Sequence, residues 1–125
     1  MTTNNHFKII VPSYNNEKWL HACLKSVKLQ SYDNYQCIIV DDCSNDRSTE
    51  IIQEEIDKNL KFVLIQNKDR KLALRNIYEA IEKSNPGDED IIVTLDGDDW
   101  FATKNTLQTL NTKYKETGCW MSYGS

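Results

Sequence analysis

The feature that most constrains this chain is a regular alternation of short apolar runs with amphipathic stretches. Phe7 to Val11 is an apolar run stopped by Pro12, the pattern of a buried strand. Trp19, Leu20, Cys23, Leu24 and Val27 then recur at helical spacing. Gln36 to Val40 is a second apolar run, ending in Asp41-Asp42, and Ser44-Asn45-Asp46 offers N-cap residues for a helix carrying Ile51, Ile52 and Ile56. Lys61 to Gln66 reads as a third strand. Leu74, Ile77, Tyr78 and Ile81 read as the apolar face of a third helix, closed by Asn85-Pro86-Gly87. Asp90 to Leu95, rich in isoleucine and valine, reads as a fourth strand, central and buried. Leu107, Leu110 and Tyr114 mark a fourth helix with Gly118 as its C-cap, and Cys119 to Tyr123 reads as a fifth strand. Such alternation predicts an α/β fold with a mostly parallel, Rossmann-like sheet and helices on both faces. The 125 residues suit a single domain with a real core.

No apolar run approaches the roughly 18 residues that a membrane span needs. The opening MTTNNHF lacks the marks of a signal peptide. The four cysteines, Cys23, Cys37, Cys43 and Cys119, form no C-x-x-C pair and have only two histidines beside them, which favours free thiols over zinc. These features together lead us to expect a cytoplasmic protein. A net charge of −4 argues against a general nucleic-acid binder. An acidic protein that takes an anionic ligand needs a local device, such as a metal ion or a helix N-terminus.

In open parallel sheets ligands bind beyond the carboxyl ends of the strands. The unusual polar residues of this chain fall there: Pro12-Ser13-Tyr14-Asn15, Asp41-Asp42 and Asp96-Gly97-Asp98-Asp99. Carboxylates packed as closely as Asp96, Asp98 and Asp99 repel one another unless something neutralises them. Magnesium or manganese does so well, because both are hard cations that favour oxygen ligands. Gly97 lets the backbone turn sharply or a ligand approach closely. Spacing alone leaves a solvated acidic turn as an equal alternative. Asp41 and Asp42 would offer a carboxylate to accept a hydrogen bond from a base or ribose, or else form a strand-to-helix loop with Asp42 or Ser44 capping the next helix. Tyr14 would stack on a nucleobase or pack on its own loop. Arg75 would pair with a phosphate or with a nearby carboxylate. No glycine-rich phosphate loop of either common type occurs, so metal and basic side chains would have to hold phosphates.

Four segments in order, IIVPSYNNEKWLHACLKSV, IIVDDCSND, ALRN and VTLDGDDW, resemble the family 2 glycosyltransferases, whose fold is called GT-A. The resemblance implies a donor-binding half that takes a UDP-sugar, with Pro12, Ser13 and Tyr14 lining the uracil pocket. It implies that Asp42 bonds the base, that Asp41 supports the turn and that Arg75 lies near the base or diphosphate. Asp96 would touch ribose or metal, Asp98 would be the main metal ligand and Asp99 a second one. Glu17 matches a frequent acidic position of the opening helix. Asp69-Arg70-Lys71-Leu72 departs from the family by lacking a glycine often found there and by being longer by one residue.

The transfer that the resemblance implies is inverting: a base deprotonates an acceptor hydroxyl, which attacks the anomeric carbon in line. The family's acceptor half would follow Asp99, and no motif here supplies its base. We therefore expect residues 1–125 to be the nucleotide-sugar-binding half: a truncated chain, a natural half-enzyme or a piece of a larger polyprotein. A further domain or a second copy would supply the site for a sugar, lipid or protein acceptor. The alternatives are a binding module that keeps the nucleotide without transfer, a receiver-type signalling domain, and an Asp-x-Asp phosphatase. The last two would carry their acidic motif after the first strand, where IIVPSY stands.

Overall fold

A computed structural model describes residues 4–118. Among them four strands alternate with four helices: β1 (Phe7–Ser13), α1 (Leu20–Lys28), β2 (Tyr35–Asp41), α2 (Ser48–Ile56), β3 (Phe62–Gln66), α3 (Ala73–Ser84), β4 (Ile91–Thr94) and α4 (Thr106–Thr117). The strands are all parallel, in the order β3-β2-β1-β4. The expected α/β class is therefore the observed one. The fifth strand expected at Cys119 to Tyr123 lies outside the described residues.

Alternation along β1 and β2 builds two cores. Phe7, Ile9 and Val11 with Cys37 and Ile39 face Leu20, Cys23, Leu24 and Val27 of α1, Ile51 and Ile52 of α2, and Leu107 of α4. Ile10, Ile38 and Val40 face Ala80, Ile77 and Ile81 of α3. Burying one such aliphatic side chain stabilises by about 1.5–3 kcal/mol, so the two covered faces of β1 and β2 anchor the domain. Cys23 and Cys37 are buried free thiols and Cys43 a half-buried one, as the cysteine spacing leads one to expect.

Several expectations are corrected. Pro12 does not stop β1: the strand runs on to Ser13, with Pro12 opposite Val40. The carbonyl of Pro12 accepts from Gly97 N–H at 3.0 Å, beyond the end of β4 at Thr94, so its missing N–H breaks no ladder on that side. Among the described strands β4 is outermost rather than central, and it is half-buried, with Ile91 and Val93 packed on one core and Ile92 on the other. On α3 the expected apolar face is turned outward at Leu74 (82% exposed) and Tyr78 (62%). The small Ala80 and the buried Asn76 face inward instead, which lets the helix lie close on β1 and β2. Similarly, Trp19 of the α1 pattern is half exposed at the helix start.

The loops at the carboxyl end are sewn together by side chains. Asn15 N–H donates to Ser44 Oγ (2.9 Å), Asn45 N–H to Asn15 Oδ1 (2.9 Å) and Asn16 N–H to Ser48 Oγ (2.9 Å). The N-cap of α2 is Arg47 rather than Ser44, Asn45 or Asp46, and it makes no side-chain cap bond; Asp46, one residue before it, accepts from Ser48 N–H at 2.8 Å and Glu17 N–H at 3.2 Å. Gly118 closes α4 with φ 62°, as expected of a C-cap. No helix among the described residues is long and apolar enough to cross a membrane.

Candidate nucleotide and metal site

A cleft of about 280 Å³ opens over the carboxyl ends of β1, β2 and β4. Pro12, Ser13, Tyr14 and Asn16 line it from the β1 side, Asp42 from β2, and Arg70, Ala73 and Asn76 from the loop and helix after β3. Asp96, Gly97 and Asp98 close it after β4. The register that sets Ser13 beside Asp41 brings the first two groups together.

Asp42 is the most heavily bonded residue of the cleft. Its Oδ1 accepts from Lys71 N–H (2.8 Å) and Asn67 Nδ2 (2.9 Å). Its Oδ2 accepts from Leu72 N–H (2.9 Å) and Arg70 Nε (3.0 Å). Burial alone would raise its pKa. The bonds from Lys71, Asn67, Leu72 and Arg70 outweigh burial and hold the carboxyl well below the usual carboxylate range. Asp41 is buried outside the lining and accepts from Ser44 Oγ (2.6 Å) and Thr49 Oγ1 (3.1 Å), so it braces the β2–α2 turn.

The turn after β4 is built by close approach. A Cβ on Gly97 would stand 2.5 Å from Asn16 Nδ2 and 3.1 Å from Ser13 Cβ, so no larger residue fits without displacing the β1 loop. Asp96, Asp98 and Asp99 are exposed, and one carboxylate oxygen from each lies within 4.8 Å of the others. Partial desolvation, then the charges of Asp98 and Asp99, push Asp96 above its ordinary value. Three anionic oxygen donors at this spacing fit a hard divalent cation, magnesium or manganese. Beneath them Cys23 donates to the Asp96 carbonyl (3.8 Å), and burial first, then the three aspartates, push its thiol up to about 12. That thiol stays protonated and inert.

Of the residues singled out in the sequence, Pro12, Ser13, Tyr14, Asp42, Asp96, Gly97 and Asp98 meet at the cleft, with Asp99 beside them. Glu17, Asp41 and Arg75 do not line it. Arg75 is exposed and its Nε donates to Glu79 at 3.1 Å. The guanidinium in the cleft belongs to Arg70, whose Cζ lies 3.4 Å from the centre of the Tyr14 ring. Sequence reading also missed Asn16 and Asn76. An asparagine in an otherwise apolar helix face is the signal that marks Asn76, which accepts from Asn67 Nδ2 at 2.7 Å.

Comparison with known proteins assigns this geometry to a family. The profile described as "Glycosyl transferase family 2" matches residues 8–125. The chain belongs to glycosyl transferase family 2. An uncharacterised glycosyltransferase of Haemophilus influenzae is 38% identical over 105 residues, covering 82% of this chain and 40% of that protein. Glycosyltransferase GlyA of Streptococcus pneumoniae is 31% identical over 117 residues, covering 93% of this chain and 16% of its own. The crystal structure of Staphylococcus aureus TarS 1-349 in complex with UDP-GlcNAc superposes with a TM-score of 0.77 at 25% identity, over 90% of this chain and 32% of that one. The family 2 chain thus spans less than half the length of these relatives, and its sheet is close to the GT-A fold of TarS.

Family 2 chains often carry a glycine before the segment that holds Arg75, and here Leu72 stands in that stretch with φ 69° and ψ 160°. This is a backbone region that glycine alone enters freely, and it stores about 1–3 kcal/mol. The conformation is held by the Leu72 N–H, which donates to Asp42 Oδ2 at 2.9 Å. Leu72→Gly removes a largely exposed side chain (61%) and relieves the strain. After about 0.5–1 kcal/mol of added chain entropy, we expect a net gain of about 1 kcal/mol, or about 4 °C in melting temperature for a domain of this size. A melting temperature that stays level or falls would mean that the loop is not strained.

Proposed function

We propose that this chain holds the nucleoside diphosphate of a UDP-sugar in the cleft and serves as the donor-binding half of a glycosyltransferase. The observation that carries the reading is the juxtaposition in one cleft of an aromatic ring and a carboxylate, Tyr14 and Asp42, with the acidic cluster Asp96, Asp98 and Asp99. The two groups suit the two ends of a nucleotide sugar, a planar base and a diphosphate. The complex of the related TarS with UDP-GlcNAc supports the choice of donor.

Asp98, with Asp96 and Asp99, would hold the magnesium or manganese. When bound, the cation neutralises charge on the diphosphate leaving group. Tyr14 offers a stacking face, Asp42 and Asn76 offer polar edges to the base and ribose, and Gly97 gives the backbone room beside them. The transfer we propose is inverting. The acceptor oxygen loses its proton to a base and forms a bond to the anomeric carbon, while the bond to the diphosphate breaks and its electron pair leaves with the phosphate. Arg75, displaced from the cleft in this structure, stays a candidate for the diphosphate through rotation of its exposed side chain.

Among the described residues no carboxylate lining the cleft is free to be that base. Asp42 is fully engaged, and Asp96 and Asp98 belong to the acidic cluster. Glu17 lies outside the lining and Glu116 lies on α4 at a separate surface. This favours a second reading for the 125-residue chain by itself, in which it binds donor and leaves acceptor activation to another segment or copy.

Calorimetric melting with nucleotides tests the donor assignment. UDP with manganese at about 100 times its dissociation constant stabilises by about 2.7 kcal/mol, which raises the melting temperature by several degrees, and chelator abolishes the rise. Equal shifts with ADP and GDP would refute the uracil assignment.

A further inference from the structure

The guanidinium of Arg70 makes both contacts that the proposed function reserves for a nucleobase. It lies over the Tyr14 ring, with Cζ 3.4 Å from the ring centre, and its Nε donates to Asp42 Oδ2 at 3.0 Å. A base that stacks on Tyr14 and donates an N–H to Asp42 is likewise planar and likewise a donor. The two cannot occupy one ring face and one carboxylate oxygen at the same time. The other three donors to Asp42 are the backbone N–H groups of Lys71 and Leu72 and the amide of Asn67, which belong to the framework of the loop. Arg70 is different. Its side chain is 41% exposed, and it is the one basic residue among those lining the cleft, so it alone can leave without unravelling the turn.

We propose that Arg70 is a built-in occupant of the base site, which an entering nucleotide must displace. The proposal rests on the nucleotide reading above. It makes Arg70 a specificity-determining residue, because only a ligand with a planar face for Tyr14 and an N–H for Asp42 Oδ2 replaces both lost contacts. A ligand that supplies the diphosphate alone leaves Arg70 where it is. An occupied site also lowers apparent affinity by the fraction of molecules in which it is free. A partly exposed ion pair and an exposed cation–π contact together hold the closed form by a factor on the order of three to ten.

The test uses Arg70→Ala and the unaltered protein with two probes, uridine and UDP with manganese, by calorimetry. Arg70→Ala is expected to bind both about three- to tenfold more tightly. Weaker binding would show that Arg70 is a platform that stays under the base, and equal binding would show that it does not compete; either overturns the proposal. Nitrogen-15 spectra of the unaltered protein give a measure independent of the variant's folding. The Arg70 Nε–H signal is expected to be protected from exchange and to lose that protection as UDP saturates the site. Saturation by UDP with Nε–H still protected overturns the displacement while leaving the nucleotide site standing. Failure of uridine and UDP to bind either protein removes the nucleotide reading itself, and the proposal with it.

Discussion

Asp98→Asn lowers UDP affinity in manganese on the order of 100-fold, while the melting temperature without metal holds or rises. The substitution keeps the shape of the side chain and removes one anionic oxygen from the three that converge within 4.8 Å. Even residues that only support metal ligands cost about 10–100-fold in metal affinity when changed, so a ligand itself should sit at the upper end. The metal-free half of the prediction follows from repulsion. Asp98 is the neighbouring charge that acts most strongly on Asp96, raising it after desolvation, and neutralising it relieves that strain. Titration of UDP in the presence and absence of manganese, with melting curves in chelator, reads both halves. A loss of several degrees in chelator would instead make Asp98 a structural residue of the turn and remove the cation from the proposed function.

Asp42→Ala destabilises the folded chain by about 3 kcal/mol at neutral pH and abolishes the nucleotide-induced rise in melting temperature. The carboxylate organises the whole loop between β3 and α3, bonding two backbone N–H groups, Asn67 and Arg70. Hydrogen bonds to a buried charged group contribute about 1.5–3 kcal/mol each, and water recovers part of that at the loop surface. The strained backbone at Leu72 then loses what holds it. The pH dependence has a definite sign. The folded pKa of Asp42 is depressed, so its contribution is complete above the ordinary carboxylate value of about 4 and is lost as pH falls below that, through the depressed folded value. Denaturant melts at pH 7 and pH 3 should therefore show a large gap between the two proteins that narrows in acid. A gap under about 1 kcal/mol at pH 7 would show that the loop closes without Asp42.

Which parts of this were legible in the amino-acid order follows from what kind of signal each part leaves. Strand and helix order leaves a local one: the runs at Phe7, Gln36, Lys61 and Asp90 and the helical spacing between them each read correctly as elements. The acidic turn leaves one too, since three aspartates around a glycine after an apolar strand are unusual on any fold. Errors arose wherever a local pattern had to stand for a neighbour. The isoleucine-rich β4 resembles a central strand, yet its place at the outside of the described sheet depends on pairing with β1 alone. Leu74 and Tyr78 have helical spacing, but α3 is turned so that Asn76 and Ala80 meet the sheet. Arg75 fits the family segment, while the arginine that reaches the cleft is five residues earlier in a loop with no periodic pattern.

The sequence by itself determined the class of fold, the family, and which charged residues stand at the strand ends, because hydrophobic period and the identity of charged side chains are local properties of the chain. Tertiary structure decided which of those side chains share a cleft. Asp42 and Arg70 are 28 residues apart and meet only because β2 and β3 are adjacent and parallel. Tyr14 meets Arg70 only because β1 lies on the other side of β2. Gly97 is required only because the turn after β4 presses on Ser13 and Asn16. Contacts of that range come from strand order and register, which are set by packing of the whole sheet rather than by any one segment.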